Sequence, residues 1–247
     1  MQKERIQKVL ARAGIASRRK VEWYMVQGLV AVNGKVVTRL GETIDPETDK
    51  VTVNGHEVSL FSEKKYLLFY KPRLVISSCY DEQKRQTVMD YFSDVHTRLY
   101  PVGRLDYDSD GLLILTNDGD FTYALTHPKH EVMKTYLVHI QEEISRSEIS
   151  LLERGLLLDG YQTKPCQIHQ VRFERTGSWI EVTLHEGRNR QIRKMLETIQ
   201  KHVLSLTRIQ IGPCTIGRLK PGEYRSLTQE EIRYFQSSHD EKKKEKP

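Results

Sequence analysis

The sequence predicts an α+β protein in two parts: a small helix-and-hairpin module, then a larger domain on a mostly antiparallel sheet. Three observations carry this. The N-terminal quarter shows two short helical patterns followed by two Asn-Gly hairpin signals. Beyond residue 65, strand patterns interleave with helical ones without a βαβ repeat of fixed period. The 247 residues also suffice for two modest domains, each burying its own core.

The elements follow in order. Ile6, Val9, Leu10 and Ala13 share one helix face, and Gly14 suits the C-terminal cap. Ser17 suits the N-cap of a second helix with Val21, Tyr24 and Met25 as its buried stripe and Gly28 as its end. "LVAVNGKVV" and "VTVNGHEV" place β-branched runs around Asn33-Gly34 and Asn54-Gly55. The module is expected over residues 1–61, with the polar "SEKK" of 62–65 as linker. In the second domain, 66–235, "YLLFYKP" is an apolar strand stopped by Pro72, and "YLVHIQ", "WIEVTLHE" and "LTRIQIGP" read as strands. "SRSEISLLERGLLL" and "NRQIRKMLETIQ" read as helices, and the tail 236–247, without an apolar residue, as disordered.

Charge is distributed unevenly. The total is +6, yet residues 1–40 hold nine basic and two acidic side chains, a net of +7, leaving −1 for the rest. Arg5, Lys8 and Arg12 fall along one side of the first helical pattern. Arg18, Arg19 and Lys20 open the second, where the positive helix end adds to the attraction for phosphate. A module this basic points to nucleic acid, because each neutralised phosphate releases counterions. No run of eighteen apolar residues is present, and the start lacks the apolar core of a signal peptide. Cys79, Cys166 and Cys214 are odd in number and far apart, so a disulfide frame is not expected. A cytoplasmic protein without a membrane partner is the natural expectation.

"GRLDYDSDGLL" resembles the opening of a calcium loop, with Asp106, Asp108, Asp110 and Gly111 at the right spacing. The closing glutamate is missing, since loop position 12 is Asn117, and neither flank is a helical pattern. Calcium is therefore excluded, and a solvated acidic turn is the plainer alternative. Asp106 differs from its neighbours: following Arg104 just before an apolar strand, it is expected at the core's edge, with Asp108 and Asp110 outward. A half-buried carboxylate needs a cationic partner to stay ionised. "HEGRNRQIRKM" offers Arg188, Arg190, Arg193 and Lys194. On a helix starting near Asn189, with Ile192, Met195 and Leu196 facing the core, Arg193 is best placed to reach inward. There is no phosphate loop and no G-x-S-x-G elbow, and H-E-x-x-H fails at His130-Glu131 and His185-Glu186. His127 and His130 are half a zinc site without further ligands at suitable spacing, so no metal is expected.

"RIQKVLARAGIASRRKVEWYMVQGLVAVNGKVV" resembles the S4 RNA-binding domain. "YKPR", "GRLDYDSDGLLILTNDGDF", "HEVMKTYLV", "LHEGRNRQIRKM" and "KPGEYRSLT" look like the RsuA/RluB family of ribosomal RNA pseudouridine synthases, and more like its large-subunit RluB branch. The resemblance implies an S4-like RNA-binding domain in front of a pseudouridine synthase catalytic domain. Its partners would be ribosomal RNA or a ribosomal-subunit precursor, and the resemblance implies no required metal; a monomer is expected, and no cofactor, since nothing is oxidised. It implies Asp106 as catalytic aspartate, Tyr136 of "KTY" as the tyrosine stacked on the target base, and Arg193 as the residue pairing with the aspartate. Arg104 becomes a contact to RNA, as do Arg188, Arg190 and Lys194. Leu74 stands where family members often have glycine after Lys-Pro-Arg.

Such an enzyme breaks the uridine C1′–N1 bond, turns the uracil and rejoins it through C5. An ionised carboxylate can attack, take a sugar proton or stabilise charge at C1′, and the residues alone leave these open. Without the resemblance, Tyr136 reads as a core tyrosine. The rival from another class is a non-catalytic ribosome-assembly factor keeping the same RNA surface.

Overall fold

A computed structural model describes residues 3–127, 129–175 and 177–244. Near the N-terminus, β1 (Glu4–Arg5) leads into α1 (Ile6–Arg12), followed by α2 (Arg18–Val26). Ser17 caps α2 as its position predicts, its hydroxyl accepting from Lys20 N at 3.2 Å. Then come β2 (Val30–Val32), β3 (Lys35–Val36), β4 (Thr43–Ile44), β5 (Val51–Val53) and β6 (His56–Glu57). Asn33 and Asn54 take positive φ of 50° and 53°, and the glycines after them 79°. These are the backbone signs that let a two-residue turn follow strand twist. Both predicted hairpins form, and β2 pairs with β5 to give the order β3-β2-β5-β6. Ile6, Val9, Leu10, Val21, Met25, Val30, Ile44 and Val51 share one core, each buried aliphatic contributing about 1.5–3 kcal/mol.

This unit runs to Lys65 and also takes in Val95–Leu99 and Asn117–Gly119. Hydrogen bonds within it account for the two excursions. Asn117 Oδ1 accepts from Lys65 N at 2.8 Å, its amide donates to Glu63 O and Ser62 Oγ, and Arg98 donates to Ala16 O. The "SEKK" stretch is thereby tied down rather than left free.

The larger unit opens with β7 (Tyr66–Lys71), a one-turn 3-10 helix (Val88–Tyr91), β8 (Tyr100–Val102), β9 (Asp110–Thr116) and α3 (Gly119–Thr126). Next are β10 (Lys134–Ile140), α4 (Arg146–Glu153), the small ladder of β11 (Leu157–Leu158) with β12 (Tyr161–Gln162), and β13 (Gln167–Glu174). It ends with β14 (Gly177–Leu184), α5 (Gln191–Thr198), β15 (Val203–Ile211), β16 (Cys214–Thr215), β17 (Tyr224–Ser226) and α6 (Gln229–Lys244). Nine strands form one sheet, ordered β13-β14-β10-β15-β9-β7-β17, with β16 on β15 and β8 on β9. Every pairing in it is antiparallel except β9 with β15. The fold is the α+β class that the strand and helix patterns predict.

One helix reading and the reading of the tail need correction. "SRSEISLLERGLLL" is helical only to Glu153. Gly155 follows at φ +88°, so close to Thr163 O that a Cβ would lie 2.4 Å away, and Leu157–Leu158 turn into a strand. The tail expected to be disordered is instead entered by α6, which reaches Lys244. Ile232 and Phe235 anchor that helix in a core, and adding turns to an anchored helix is far easier than starting one. The last three residues lie outside the described ones.

The sheet carries two separate cores. One gathers Val138, Ile180, Val182 and Leu206 with Leu152 of α4 and Met195 of α5. The other gathers Leu68, Leu112 and Ile114 with Phe121 of α3 and Phe235 of α6. They meet at the β9–β15 pairing, where only Asp110 with Thr207 and Gly111 with Arg208 are in register. Gly111, at φ +106°, makes this approach possible: a Cβ there would sit 2.3 Å from Arg208 O. The glycine of the calcium-like motif thus serves backbone packing.

Candidate active site

A cavity of about 230 Å³ opens at this seam, lined from both cores. The segment bearing Asp106 is held at its edge from several sides. The buried Ser77 hydroxyl bonds Leu105 N at 3.1 Å and Leu105 O at 2.9 Å. Leu74 N donates to Tyr107 O at 2.7 Å. Leu74 itself sits at φ +61°, the left-handed region where glycine is at home. Lys71, fully buried, donates to Pro72 O at 2.8 Å and Ser109 O at 2.7 Å. Asp106, half-buried, lines the cavity.

Tyr136 lies on β10, between β14 and β15, and is 8% exposed. A register shift between Thr135 and Tyr136 sets it opposite Arg208. Its ring lines the same cavity as Asp106. Arg104, Arg188 and Arg190 also line it and are exposed. Arg188 lies over the Tyr161 ring, 3.1 Å from its centroid.

Arg193 does not pair as the sequence suggests. Its Nη2 lies 3.1 Å from Asp108 Oδ2 and donates to Asp108 O and Ser109 Oγ, while Nη1 donates to Val203 O. Arg190 also reaches Asp108, at 3.3 Å. The turn closed by Ser109 N on Asp106 O brings residue 108, not 106, over α5. The helix also starts later than Asn189 implies: Arg190 is its N-cap, at φ +52°. Burial lowers the Arg193 pKa, and the Asp108 carboxylate, with a smaller pull from Asp106, opposes that. Asp108 and Asp110 are not free solvated carboxylates either: both are half-buried, Asp108 held by Arg190 and Arg193 and Asp110 accepting from Thr207 Oγ1 at 2.6 Å. Lys194 pairs with Asp159 and does not line the cavity.

On the basic module, Arg5, Arg18, Arg19 and Lys20 are exposed. Lys8 and Arg12 are partly neutralised: both pair with Glu4, Lys8 at 3.2 Å and Arg12 at 2.8 Å. The ridge expected from α1 is therefore weaker than its residue count, because β1 brings Glu4 alongside the helix. Lys20 lies 3.8 Å from the centroid of the Trp23 ring, which is itself exposed.

Lys71, Lys134 and Arg208 escaped the sequence reading. The signal was present: Lys71 shares a strand face with Leu67 and Phe69, and Arg208 with Leu206, and a cation on an apolar face needs a reason. Burial pushes Lys71 down to about 8 against the opposing pull of Asp110. The unfolded chain keeps that proton to about 10.5, so between the two values it binds more protons than the folded one. Stability of the wild type, relative to Lys71→Met, is expected to rise with pH across that window by on the order of 3 kcal/mol. Urea unfolding of both proteins at a series of pH values checks it; a flat difference would show that Lys71 keeps its proton in the fold as it does in the unfolded chain.

Comparison with known proteins places these features in context. The RNA pseudouridylate synthase family profile matches residues 65–198, and the S4 domain profile residues 4–49. The chain is 43% identical over 239 residues to the ribosomal large subunit pseudouridine synthase B of Bacillus subtilis, covering 96% of this chain and 97% of that one. It is 38% identical over 238 residues to an uncharacterised RNA pseudouridine synthase of Aquifex aeolicus, covering 94% and 93%. A crystal structure of a pseudouridylate synthase superposes with a TM-score of 0.68 at 28% identity, covering 94% of this chain and 99% of the other.

Proposed function

Since this chain belongs to the RNA pseudouridylate synthase family and carries an S4 domain ahead of its catalytic part, we propose that it isomerises uridine to pseudouridine in large-subunit ribosomal RNA. Residues 1–61 hold RNA, 62–65 connect, and 66–235 perform the chemistry. The observation that supports this best is the cavity: Asp106 is the sole carboxylate among its lining residues, Tyr136 presents a ring to it, and its other charged groups are cations. A flipped base stacks on Tyr136, which replaces the stacking it leaves behind, an interaction of about 1–3 kcal/mol. The Asp106 carboxylate acts on the sugar side, at C1′. Arg104, Arg188 and Arg190 meet backbone phosphates at the cavity mouth. Arg193 acts as a positioning residue: through Asp108 and Ser109 it fixes the turn that carries Asp106. The large-subunit substrate is supported by the name of the Bacillus subtilis relative. Among the described residues no helix is long and apolar enough to cross a membrane.

The test is release of tritium from ribosomal RNA labelled at uracil C5, supplied as large- and small-subunit fragments and as subunit precursors. Release from large-subunit material is the expected result. Release from small-subunit RNA alone would overturn the substrate, and none from any source would favour an assembly factor. A second expectation concerns the basic module. Arg18→Ala with Arg19→Ala and Lys20→Ala should flatten the plot of log affinity against log salt by about two to three units. An unchanged slope in a titration from low to high salt would remove these residues from the RNA interface.

A further inference from the structure

Two cations in the cavity have no role so far. Arg208 is 4% exposed; its Nε donates to Leu112 O at 2.6 Å, and its buried Nη2 has no hydrogen-bond partner among the described residues. Lys134 donates to Val132 O at 2.9 Å. Both line the cavity, and the Arg208 guanidinium lies 6.0 Å from the centroid of the Tyr136 ring. Among the described residues neither makes an ion pair. Setting a buried Arg208 and a half-buried Lys134 in one cavity with no ion-pair partner for either is costly, and Arg208 occupies a strand face where Leu206 shows an aliphatic fits. Burial, with the Arg208 charge added, pushes Lys134 down to about 8. The site is short of negative charge until something brings it.

We propose that Arg208 and Lys134 hold the base side of the reaction, donating to the carbonyl oxygens of the flipped uracil and stabilising the anion it becomes when C1′–N1 breaks. This rests on the synthase reading above. Heterolysis leaves the electron pair on N1, spread onto O2 and O4, while C1′ becomes electron-poor beside Asp106. C5 of the turned ring then bonds to C1′, C5 loses its proton to water, and N1 gains one, so the product is an isomer. Preorganised donors aimed at developing negative charge are the strongest aid an enzyme gives such a step. A phosphate is the poorer occupant. The exposed Arg104, Arg188 and Arg190 already serve phosphates at the mouth, whereas Arg208 lies deep beside Tyr136, where the base stacks.

The experiment uses the full chain and single-turnover tritium release, with RNA affinity measured alongside. Arg208→Gln removes the donor but also loosens its bond to β9, so Lys134→Gln and Lys134→Arg, whose lysine bonds only its own strand's approach, keep the test independent of folding. The Gln variants are expected to slow turnover about a hundredfold or more with affinity changed by less than about threefold. Lys134→Arg should restore most of the rate. On RNA bearing 5-fluorouridine, whose fluorine already stabilises the departing anion, the deficit in consumption of that nucleoside should shrink about tenfold. Equal deficits on both bases, or affinity falling in step with rate, would overturn the assignment in favour of packing or phosphate holding. Variants as fast as wild type would overturn it outright. A wild type inactive on uridine would instead sink the synthase reading and this inference with it.

Discussion

Asp106→Asn is expected to reduce turnover by at least about a thousandfold while RNA affinity stays within about threefold. Each role open to this residue, whether attack, proton abstraction or stabilisation of positive charge at C1′, requires the ionised form, and the amide keeps the shape while losing the charge. The fold should not notice. The turn is held by Ser77 on Leu105, by Lys71 on Ser109 and by Arg193 on Asp108, none of which uses the Asp106 side chain. Tritium release and RNA binding, measured on one preparation, check the split. A variant that keeps a tenth of its rate would remove Asp106 from the chemistry.

Gly111→Ala is expected to be among the most damaging single-methyl changes in the protein, costing about 3 kcal/mol or more. The new Cβ would meet Arg208 O at 2.3 Å, Arg208 N at 2.5 Å and Arg208 C at 2.9 Å. These are backbone atoms, and β9 cannot retreat because Gly111 is also in register with Lys71 of β7. Gly103→Ala is the control. Gly103 also has positive φ, but nothing lies within 4 Å of its added Cβ, so only the backbone strain of about 1–2 kcal/mol remains. Urea midpoints for both variants separate steric clash from strain; equal losses would show that the seam yields.

Much of this could be read from residues alone where the cause is local. The Asn-Gly turns, the Ser17 cap and the apolar stripes of α1, α2 and α5 need only the chemistry of neighbouring residues, and they appear where that chemistry puts them. The shared cavity of Asp106 and Tyr136 was reachable only through motif resemblance, since nothing local joins β9 to β10. What stayed hidden depends on three-dimensional approach. Asp108 rather than Asp106 meets Arg193 because a turn bonded at Ser109 rotates the chain by two residues. Glu4 disarms Lys8 and Arg12 because a two-residue strand lays it beside α1. Lys71 and Arg208 were visible as cations on apolar faces, but Ser109 O and Leu112 O, which accept from them, lie far along the chain.

The narrow β9–β15 pairing also bears on how the sequence can change over time. Two cores on strands that β9 and β15 join through only two paired residues behave as separate packing problems, because substitutions without common neighbours contribute almost independently to stability. Either half can drift in its aliphatic residues without unsettling the other. The seam has no such freedom: Gly111 is fixed by backbone contact and Arg208 by burial, so lineages that diverge widely on both flanks would still agree on this line through the sheet.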